Sequence, residues 1–147
     1  MIIRHVEPLD LPALRDLFLR SRRAAFYWEP HSSFDLGDFD TQTDGEMQIV
    51  AHNGAQIVGF ISIWMPNDFV HHLHVDPRFS RQGIGRALLS ALPGWRVVRY
   101  RLKCVIKNEA ALAFYLANGF IQVDQGRADN EDYLLLESTT SIAYDGQ

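Results

Sequence analysis

The chain has 147 residues, of which 47% are hydrophobic and 22% charged. This composition supports one packed core, so it excludes an intrinsically disordered chain and predicts a single domain over residues 1–147. Fourteen basic and eighteen acidic residues give a formal net charge of −4. A nucleic acid is therefore disfavoured as the main partner, because proteins that bind one usually carry a basic excess that neutralises phosphates.

The same composition bears on location. No apolar run approaches the roughly 18 residues that a membrane-spanning helix needs. The first ten residues lack a cationic start followed by an apolar stretch, so we predict neither a membrane segment nor a secretory signal. The single cysteine, Cys104, excludes an internal disulfide and a CxxC site. We therefore expect a cytoplasmic protein.

In chain order, the first half of the sequence predicts a strand, a helix and a β-hairpin. Asp10 is the expected N-cap of the first long helix, ahead of Pro12. Asn53-Gly54 lies between two β-branched runs, which is a typical hairpin signal. The predicted segments are a strand at 2–5, a helix at 9–25, a short helix at 33–39, and strands at 47–51 and 56–64.

The second half alternates strands with helices and ends in an antiparallel pair. The predicted segments are a strand at 69–75, a helix at 83–92, a strand at 97–106, a helix at 109–117, and paired strands at 120–123 and 133–137. This order predicts an α/β domain with a mixed central sheet, since a purely parallel array would need a helix between every two strands.

The most informative stretch is the loop Arg81-Gln82-Gly83-Ile84-Gly85-Arg86, which follows a strand and opens a helix. Glycine lets backbone N–H groups approach a ligand closely, and the start of a helix offers free N–H groups to a phosphate or pyrophosphate. Arg81 and Arg86 can add charge-assisted contacts. The alternative is a strand-to-helix turn that uses glycine only for tightness.

Two common nucleotide motifs fail at this loop. The GxxxxGK[ST] pattern of ATP and GTP sites is absent, and Leu88 occupies the third glycine position of GxGxxG. ATP, GTP and NAD are therefore poor fits to the loop.

The strand, Val75-Asp76-Pro77 and the glycine loop resemble motif A of the GNAT superfamily of CoA-dependent N-acyltransferases. A second block, 103–120, resembles the family's motif B, N-x-x-A-x-x-F-Y-x-x-x-G-F, and the strand around 57–60 resembles the family's preceding hairpin strand. Ser80 departs from the pattern, because the family usually has Gln or Arg there. The motif B matches are Asn108, Ala111, Phe114, Tyr115, Gly119 and Phe120.

The resemblance runs from about residue 2 to 137 and implies a GNAT-type α+β fold. In that fold a mixed, mostly antiparallel sheet is flanked by helices, and two splayed strands hold CoA. It also implies acetyl-CoA as cosubstrate, no metal, and direct attack by an amine through a tetrahedral intermediate without an acyl-enzyme.

The resemblance also assigns roles to particular residues. The loop Arg81–Arg86 would bind the pyrophosphate, and a backbone N–H of Leu73, His74 or Val75 would bind the oxyanion. Tyr115 would protonate the leaving thiolate, its alternative being an ordinary core aromatic. Asn108 would cap its helix, contact the pantetheine arm, or do both.

The general base is predicted from the residues themselves. His72 and His74 share one face of a strand while Leu73 and Val75 take the other. An imidazole titrates near neutral pH, so either histidine could accept a proton from an ammonium group. The alternative is that both are hydrogen-bonded polar residues. A metal site with His71 is not expected, because no third ligand has clear spacing.

The acceptor site is expected in the N-terminal third and the hairpin. Tyr27, Trp28, Glu29 and Trp64 combine aromatic rings with a carboxylate that could hold a cationic amine, or they form a hydrophobic contact between helix and sheet. The acceptor is a small primary amine or an amine of a peptide, and a homodimer remains an option. The rival function is a non-catalytic acyl-CoA-binding domain on the same fold.

Overall fold

The computed structural model describes residues 1–140. Within them lie seven strands and four α-helices, joined in places by short 3₁₀ turns. None of these helices is long and apolar enough to cross a lipid bilayer. The strands are β1 (Ile2–His5), β2 (Met47–His52), β3 (Ile57–Trp64), β4 (Phe69–Val75), β5 (Arg101–Val105), β6 (Phe120–Ala128) and β7 (Glu131–Ser138), and the helices are α1 (Leu11–Ala25), α2 (Asp38–Gln42), α3 (Ile84–Ser90) and α4 (Glu109–Ala117).

The strands form one sheet in the order β1-β2-β3-β4-β5-β7-β6. Neighbouring strands are antiparallel except β4 and β5, which are parallel and pair only at Phe69 with Arg101. The predicted mixed, mostly antiparallel sheet is confirmed. Because β4 and β5 separate after this one pair, the sheet opens in its middle.

The two faces of the sheet carry separate cores. On one face, α1 and α2 pack Phe18 and Phe39 against Phe60 of β3. On the other face, α3 packs against β3, and α4 packs against β5 and β6. Ile61 and Ile63 of β3 and Tyr115 of α4 belong to the core on this face. This alternation along β3 follows from the two-residue period of a strand, and each fully buried side chain of this size contributes about 1.5–3 kcal/mol to stability.

A β-bulge in β4 decides which side chains share a face. The register of the β3–β4 pair shifts between Ser62 and Ile63, so His71 is an extra residue on β4. Val70 therefore joins the core on the α3 side, while His71 lies beside His72 on the face towards α1 and α2. An unbulged strand would have placed His71 on the opposite face from His72.

Several predicted boundaries were wrong. The short helix at 33–39 is instead a 3₁₀ turn at His31–Ser33 followed by α2, which starts at Asp38. The guanidinium of Arg22 binds the carboxylate of Asp38 at 3.0 Å and the carbonyl of Asp35 at 3.2 Å, so a tertiary contact shapes this segment.

The strand predicted from residue 97 begins only at Arg101, because residues 93–98 form turns. The final hairpin is longer than predicted, because its first strand extends to residue 128 and its second strand runs from 131 to 138.

The predicted N-cap at Asp10 needs a correction. α1 does follow Asp10, but the Asp10 side chain makes no capping hydrogen bond to the helix. Its carboxylate instead accepts bonds from the Arg4 guanidinium at 2.8 and 3.0 Å and from the Glu7 N–H at 2.7 Å. The bond from Arg4 lowers the pKa of the Asp10 carboxyl group. An ion pair with β1 has taken the place of the cap.

Candidate active site

A cleft of 650 Å³ opens beside β4, on the face that carries α3 and α4. It is bounded by the side chains of the end of β4, by the glycine loop and by one side of α4. Its lining residues are Leu73, Val75, Phe79, Ser80, Arg81, Gly83, Ile84, Gly85, Arg86, Ala111, Phe114, Tyr115, Ala117 and Asn118. The structure therefore brings the two halves of the predicted cofactor site together.

The backbone of β4 presents polar groups to the gap between β4 and β5. The N–H of Asp76 donates to the carbonyl of Val58 on the β3 side, at 2.8 Å. Because amide directions alternate along a strand, the N–H groups of Leu73 and Val75 point the other way, towards β5. Among the described residues β4 pairs with β5 only at Phe69, so these two amides open on the gap.

The same alternation of amide directions points the N–H group of His74 towards β3. Its backbone is paired with Phe60 of β3, so its N–H group faces away from the gap. Its side chain lies on the α1 face and takes no part in lining the cleft. Of the three backbone donors predicted for the oxyanion, the structure therefore retains Leu73 and Val75.

The glycine loop has the geometry of an anion site. Arg81 and Gly83 have positive φ angles of 62° and 76°, so the chain turns sharply before α3 begins at Ile84. Within residues 1–140, the six consecutive backbone N–H groups from Arg81 to Arg86 donate to no other residue. A Cβ added at Gly83 would meet nothing within 4 Å, so glycine is needed there for its φ angle.

The two predicted arginines differ in how firmly they are held. Arg86 Nε donates to Asn118 Oδ1 at 3.2 Å, and Asn118 Nδ2 donates to the carbonyl of Phe114 at 2.8 Å. Both arginines are exposed, but this chain of bonds fixes Arg86 at the side of the cleft, whereas the Arg81 side chain makes no hydrogen bond to the described residues. Gln82 is also exposed and does not line the cleft, so the structure brings only its backbone N–H group to the site.

Tyr115 lies on the wall of the cleft with 9% of its surface exposed. Its ring stands edge-on between Phe114 and Phe120, at centroid distances of 5.3 and 5.4 Å. Burial raises the pKa of the Tyr115 phenol above its ordinary value, so it is protonated at neutral pH.

Asn108 takes the first of its two predicted roles in the structure. Its Oδ1 accepts a hydrogen bond from the N–H of Ala111 at 3.3 Å, which makes Asn108 the N-cap of α4. It does not line the cleft, so a contact with pantetheine stays a prediction. Cys104 is buried nearby, and burial raises the pKa of its thiol to about 11, which disfavours a nucleophilic thiolate.

His74 packs between α1 and the sheet. Its ring stacks on Phe60 at 5.7 Å and stands edge-on to Phe18 at 5.1 Å, and its Nδ1 lies 2.8 Å from Ser21 Oγ. Burial lowers the pKa of His74 to about 3. An imidazole with so low a pKa accepts a proton poorly from an ammonium group near neutral pH. This environment disfavours His74 as a base, and its catalytic role stays a prediction.

A second cavity, of 580 Å³, lies on the opposite face of β4 from the cleft. Its lining residues are Gln42, Trp64, Asn67, Phe69, Val70, His71, His72 and Lys103. The Nε2 of His72 lies 3.3 Å from the carbonyl of Gln42, and its ring stands edge-on to Phe18. Burial lowers the pKa of His72 as well. Of the two histidines predicted as bases, His72 is the one that lines this cavity.

The sequence reasoning missed a carboxylate beside the second cavity. The Glu46 side chain is only 2% exposed, and it accepts a hydrogen bond from Ser62 Oγ at 2.5 Å and pairs with His71 Nδ1. His71 was considered only as a metal ligand. The only sequence signal is a lone acid directly before an apolar strand, which is too weak to indicate a site.

The structure divides the predicted aromatic acceptor cluster. Trp64 lines the second cavity, whereas Tyr27, Trp28 and Glu29 do not. Trp28 Nε1 donates to Glu131 Oε1 at 3.0 Å, which ties the segment after α1 to the start of β7. Tyr27 is 76% exposed beside Trp28. The prediction of one joint pocket is therefore corrected, because the chain turns Trp28 towards β7.

No group of three or more His, Cys, Asp or Glu side chains in residues 1–140 is arranged to hold a metal ion. His71, His72 and His74 do share a face, but they have different partners: Glu46, Gln42 and Ser21. The three rings are therefore held apart by contacts with other elements.

Comparison with known proteins decides the family. Residues 44–122 match the family model described as an acetyltransferase (GNAT) domain, which covers just over half of the chain. The chain belongs to the GNAT superfamily of acetyltransferases. Members of this superfamily use acetyl-CoA, and this chain is an acyltransferase of that class.

Individual relatives agree with this assignment. The chain is 30% identical over 129 residues to the peptidyl-lysine N-acetyltransferase YiaC of Escherichia coli K12, covering 84% of this chain and 85% of that protein. The fold resembles that of PaiA N-acetyltransferase from Thermoplasma acidophilum in complex with coenzyme A, at 19% identity and a TM-score of 0.75, covering 94% and 98% of the two chains. It also resembles the ribosomal-protein-S18-alanine N-acetyltransferase of Escherichia coli, at 24% identity and a TM-score of 0.72, covering 93% and 92%.

Proposed function

We propose that this GNAT acetyltransferase transfers the acetyl group of acetyl-CoA directly to a primary amine, without a covalent acyl-enzyme. The observation that carries the proposal is the separation of β4 from β5, which opens a cleft lined by Leu73, Val75 and Tyr115. The only cysteine is buried away from a nucleophilic role, which favours direct attack.

The residues of the cleft fit the parts of acetyl-CoA. The free N–H groups of Arg81–Arg86 suit a pyrophosphate, and the arginines at both ends of the loop add charge. The backbone of Leu73 and Val75 can pair with the amides of the pantetheine arm. Asn108 is proposed as a further pantetheine contact beside its capping role. When bound, acetyl-CoA supplies the activated thioester.

Two groups of the chain handle charge during the transfer. An N–H group of Leu73 or Val75 would stabilise the oxyanion, because a fixed backbone donor needs no reorganisation as charge develops. The Tyr115 hydroxyl would donate its proton to the departing thiolate. Deprotonation of the acceptor would take place at the second cavity, which His71 and His72 both line.

We propose a lysine side chain of a peptide as the acceptor. YiaC, the 30% identical relative, is a peptidyl-lysine N-acetyltransferase. The second cavity has mostly exposed side chains along its wall, Trp64, His71 and Lys103 among them, and such an open site suits a peptide better than an enclosed small amine. The net charge of −4 favours association with a cationic acceptor.

The test measures free thiol release from acetyl-CoA in the presence of three peptides. One peptide has a free lysine and a blocked N-terminus, the second has the reverse, and the third has both amines blocked. We expect thiol release and addition of one acetyl group only with the free lysine. Acetylation of the free N-terminus alone would contradict the lysine assignment. Binding of CoA without thiol release from any amine would support the acyl-CoA-binding alternative.

Three further expectations stay proposals. The single sheet that runs from β1 to β7 supports one domain over residues 1–147. The single cysteine leaves the chain without an internal disulfide, as is usual for cytoplasmic proteins, and we propose the cytoplasm. A homodimer is tested by light scattering of the purified protein.

A further inference from the structure

The second cavity contains a carboxylate–imidazole pair that none of the predicted roles uses. Glu46, in the turn before β2, has a nearly buried side chain whose two oxygens are both engaged, one by Ser62 Oγ and the other by His71 Nδ1. The His71 side chain is 42% exposed and lines the cavity. A buried, fully bonded carboxylate beside an accessible imidazole is an arrangement that orients a histidine for proton transfer.

We propose that His71 is the general base that deprotonates the acceptor amine, with Glu46 as its positioning residue. This inference rests on the proposed function and assigns one step of it. Because Glu46 has both oxygens occupied and is almost inaccessible, its carboxylate acts through His71 and does not reach the acceptor itself.

The hydrogen bonds determine which ring nitrogen is free. The Glu46 carboxylate can only accept, so the neutral His71 ring carries its proton on Nδ1 and donates it. Nε2 is then the unprotonated nitrogen. Among residues 1–140 no hydrogen bond occupies His71 Nε2, so its lone pair is available to an acceptor in the cavity.

The same reasoning separates His71 from its two neighbours. His72 Nε2 faces the carbonyl of Gln42, and since a carbonyl accepts only, this nitrogen carries a proton and has no free lone pair. His74 is enclosed by Phe18 and Phe60 and bonded to Ser21, outside the second cavity. Only His71 combines exposure, a carboxylate partner and a free nitrogen among these three histidines.

The β-bulge in β4 places the His71 ring beside Glu46. The extra residue at position 71 turns the His71 ring to the same face as His72, where Glu46 and Ser62 are also found. On a regular strand His71 would point into the cofactor side of the sheet. The Phe69 ring stands edge-on to His71 at 5.0 Å and limits its rotation.

The proton balance of the step is complete. His71 Nε2 takes one proton from the ammonium group of the acceptor, and the free amine attacks the thioester carbon. As the C–N bond forms and the C–S bond breaks, the thiolate takes a proton from Tyr115. The second proton of the amine nitrogen passes to water. Tyr115 then regains a proton from water, and His71 Nε2 releases its extra proton to water, so the net reaction frees one proton.

The charged and titratable groups around the His71 ring come from three elements. The carboxylate of Glu46, from the turn before β2, pairs with His71 Nδ1. The ring of His72 of β4 lies 6.0 Å away between ring centroids, and Lys103 of β5 lines the same cavity. Lys103 packs over the Tyr133 ring, which directs its charge towards β7. The carboxylate of Glu46 is therefore the closest charge to His71.

The test compares His71→Gln, Glu46→Gln and His72→Gln in the full chain, with acetyl-CoA and the lysine peptide. We expect His71→Gln to lower kcat about 100-fold with little change in the KM for acetyl-CoA, because general-base catalysis typically contributes about 10²–10⁴-fold. The lost rate should return as the pH rises and the free amine becomes abundant. Glu46→Gln should lower kcat less than His71→Gln and leave the KM for acetyl-CoA unchanged, because an amide no longer fixes which nitrogen of the His71 ring carries the proton.

The exposed His31→Gln is the matched control, expected to keep the wild-type kcat. His71→Ala with added imidazole gives a second measure, since a missing base is rescued by imidazole and a structural defect is not. Wild-type kcat in His71→Gln, or a larger loss in His72→Gln, would overturn the assignment. A wild-type enzyme that acetylates no amine would instead overturn the proposed function, and melting shifts with acetyl-CoA show that each variant still folds and binds.

Discussion

Gly85 of α3 lies directly against the ring of Phe114 of α4. A Cβ built on Gly85 would stand 2.9 Å from Cζ and 3.1 Å from Cε1 of that ring. Both residues line the cleft, so the contact sets how closely the two helices approach on its wall. The second glycine of the loop is therefore required for space, whereas Gly83 is required for its backbone conformation.

Replacing Gly85 with alanine should both destabilise the protein and weaken the cofactor site. The new methyl group overlaps the Phe114 ring, and overpacking of this kind costs about 1–3 kcal/mol. We expect a lower urea midpoint and a higher KM for acetyl-CoA. Gly37→Ala is the control, because nothing lies within 4 Å of the added Cβ and its φ angle of −69° suits alanine. Equal midpoints for the two variants would contradict the prediction.

Tyr115→Phe removes only the hydroxyl group from the wall of the cleft. We expect kcat to fall by about 10²-fold or more, as for the loss of a general acid, while the KM for acetyl-CoA changes little. Steady-state kinetics with the lysine peptide measure both. Tyr133→Phe, outside the cleft, is the control. A Tyr115→Phe enzyme with wild-type kcat would show that water can protonate the thiolate and that the residue is a core aromatic.

Because burial raises the pKa of the Tyr115 phenol, its loss of a proton should not limit activity at moderately alkaline pH. We expect no basic limb from Tyr115 in the pH–rate profile below about pH 10, the ordinary value for a tyrosine. The profile is measured with the wild-type enzyme at saturating acetyl-CoA. A basic limb near pH 8 that disappears in Tyr115→Phe would contradict the environment described for the ring.

Asn108 allows its two roles to be separated. Asn108→Ala removes the cap of α4 and should cost about 1 kcal/mol of stability, whereas Asn108→Ser keeps a capping oxygen and should cost less. If the side chain also contacts pantetheine, both variants raise the KM for acetyl-CoA. If KM follows stability and recovers in Asn108→Ser, the cap is the sole role. Thermal unfolding and kinetics on the same samples distinguish these results.

The buried His74 should make the protein less stable in mild acid. Its pKa is about 3 in the folded protein, so between about pH 6 and pH 4 the unfolded chain binds a proton there that the folded chain does not. The stabilising contribution is complete above about pH 6.5 and is lost as the pH falls, by up to about 1.4 kcal/mol per pH unit. The lowered pKa of His72 acts in the same direction.

Urea unfolding at several pH values between about 4 and 7.5 measures this slope. His74→Gln should be less stable at neutral pH but less sensitive to acid, while the exposed His31→Gln should keep the wild-type slope. The Asp76 carboxyl, whose pKa is held at about 2 by its hydrogen bond from Arg78, affects stability only at lower pH. An unchanged slope in His74→Gln would assign the acid sensitivity to other groups.

The sequence by itself determined the class of the fold and the positions of the glycine loop and of the helix that carries Tyr115. Asn53-Gly54 marks a real hairpin, β4 has the predicted bounds 69–75, and α4 the predicted bounds 109–117. These features depend on local preferences, namely turn chemistry, strand alternation and helix capping, which the order of residues carries directly. The glycine loop and the Tyr115 helix could be recognised for the same reason, since each is a short contiguous pattern.

Only the tertiary structure decided which side chains line the second cavity. The bulge at His71 depends on how β4 pairs with β3, and one extra residue moves a side chain from one face of the sheet to the other. The pairing of Glu46 with His71 joins residues 25 positions apart, and Trp28 reaches Glu131 across 103 positions. Such contacts arise from the packing of distant strands, for which no local pattern exists in the sequence.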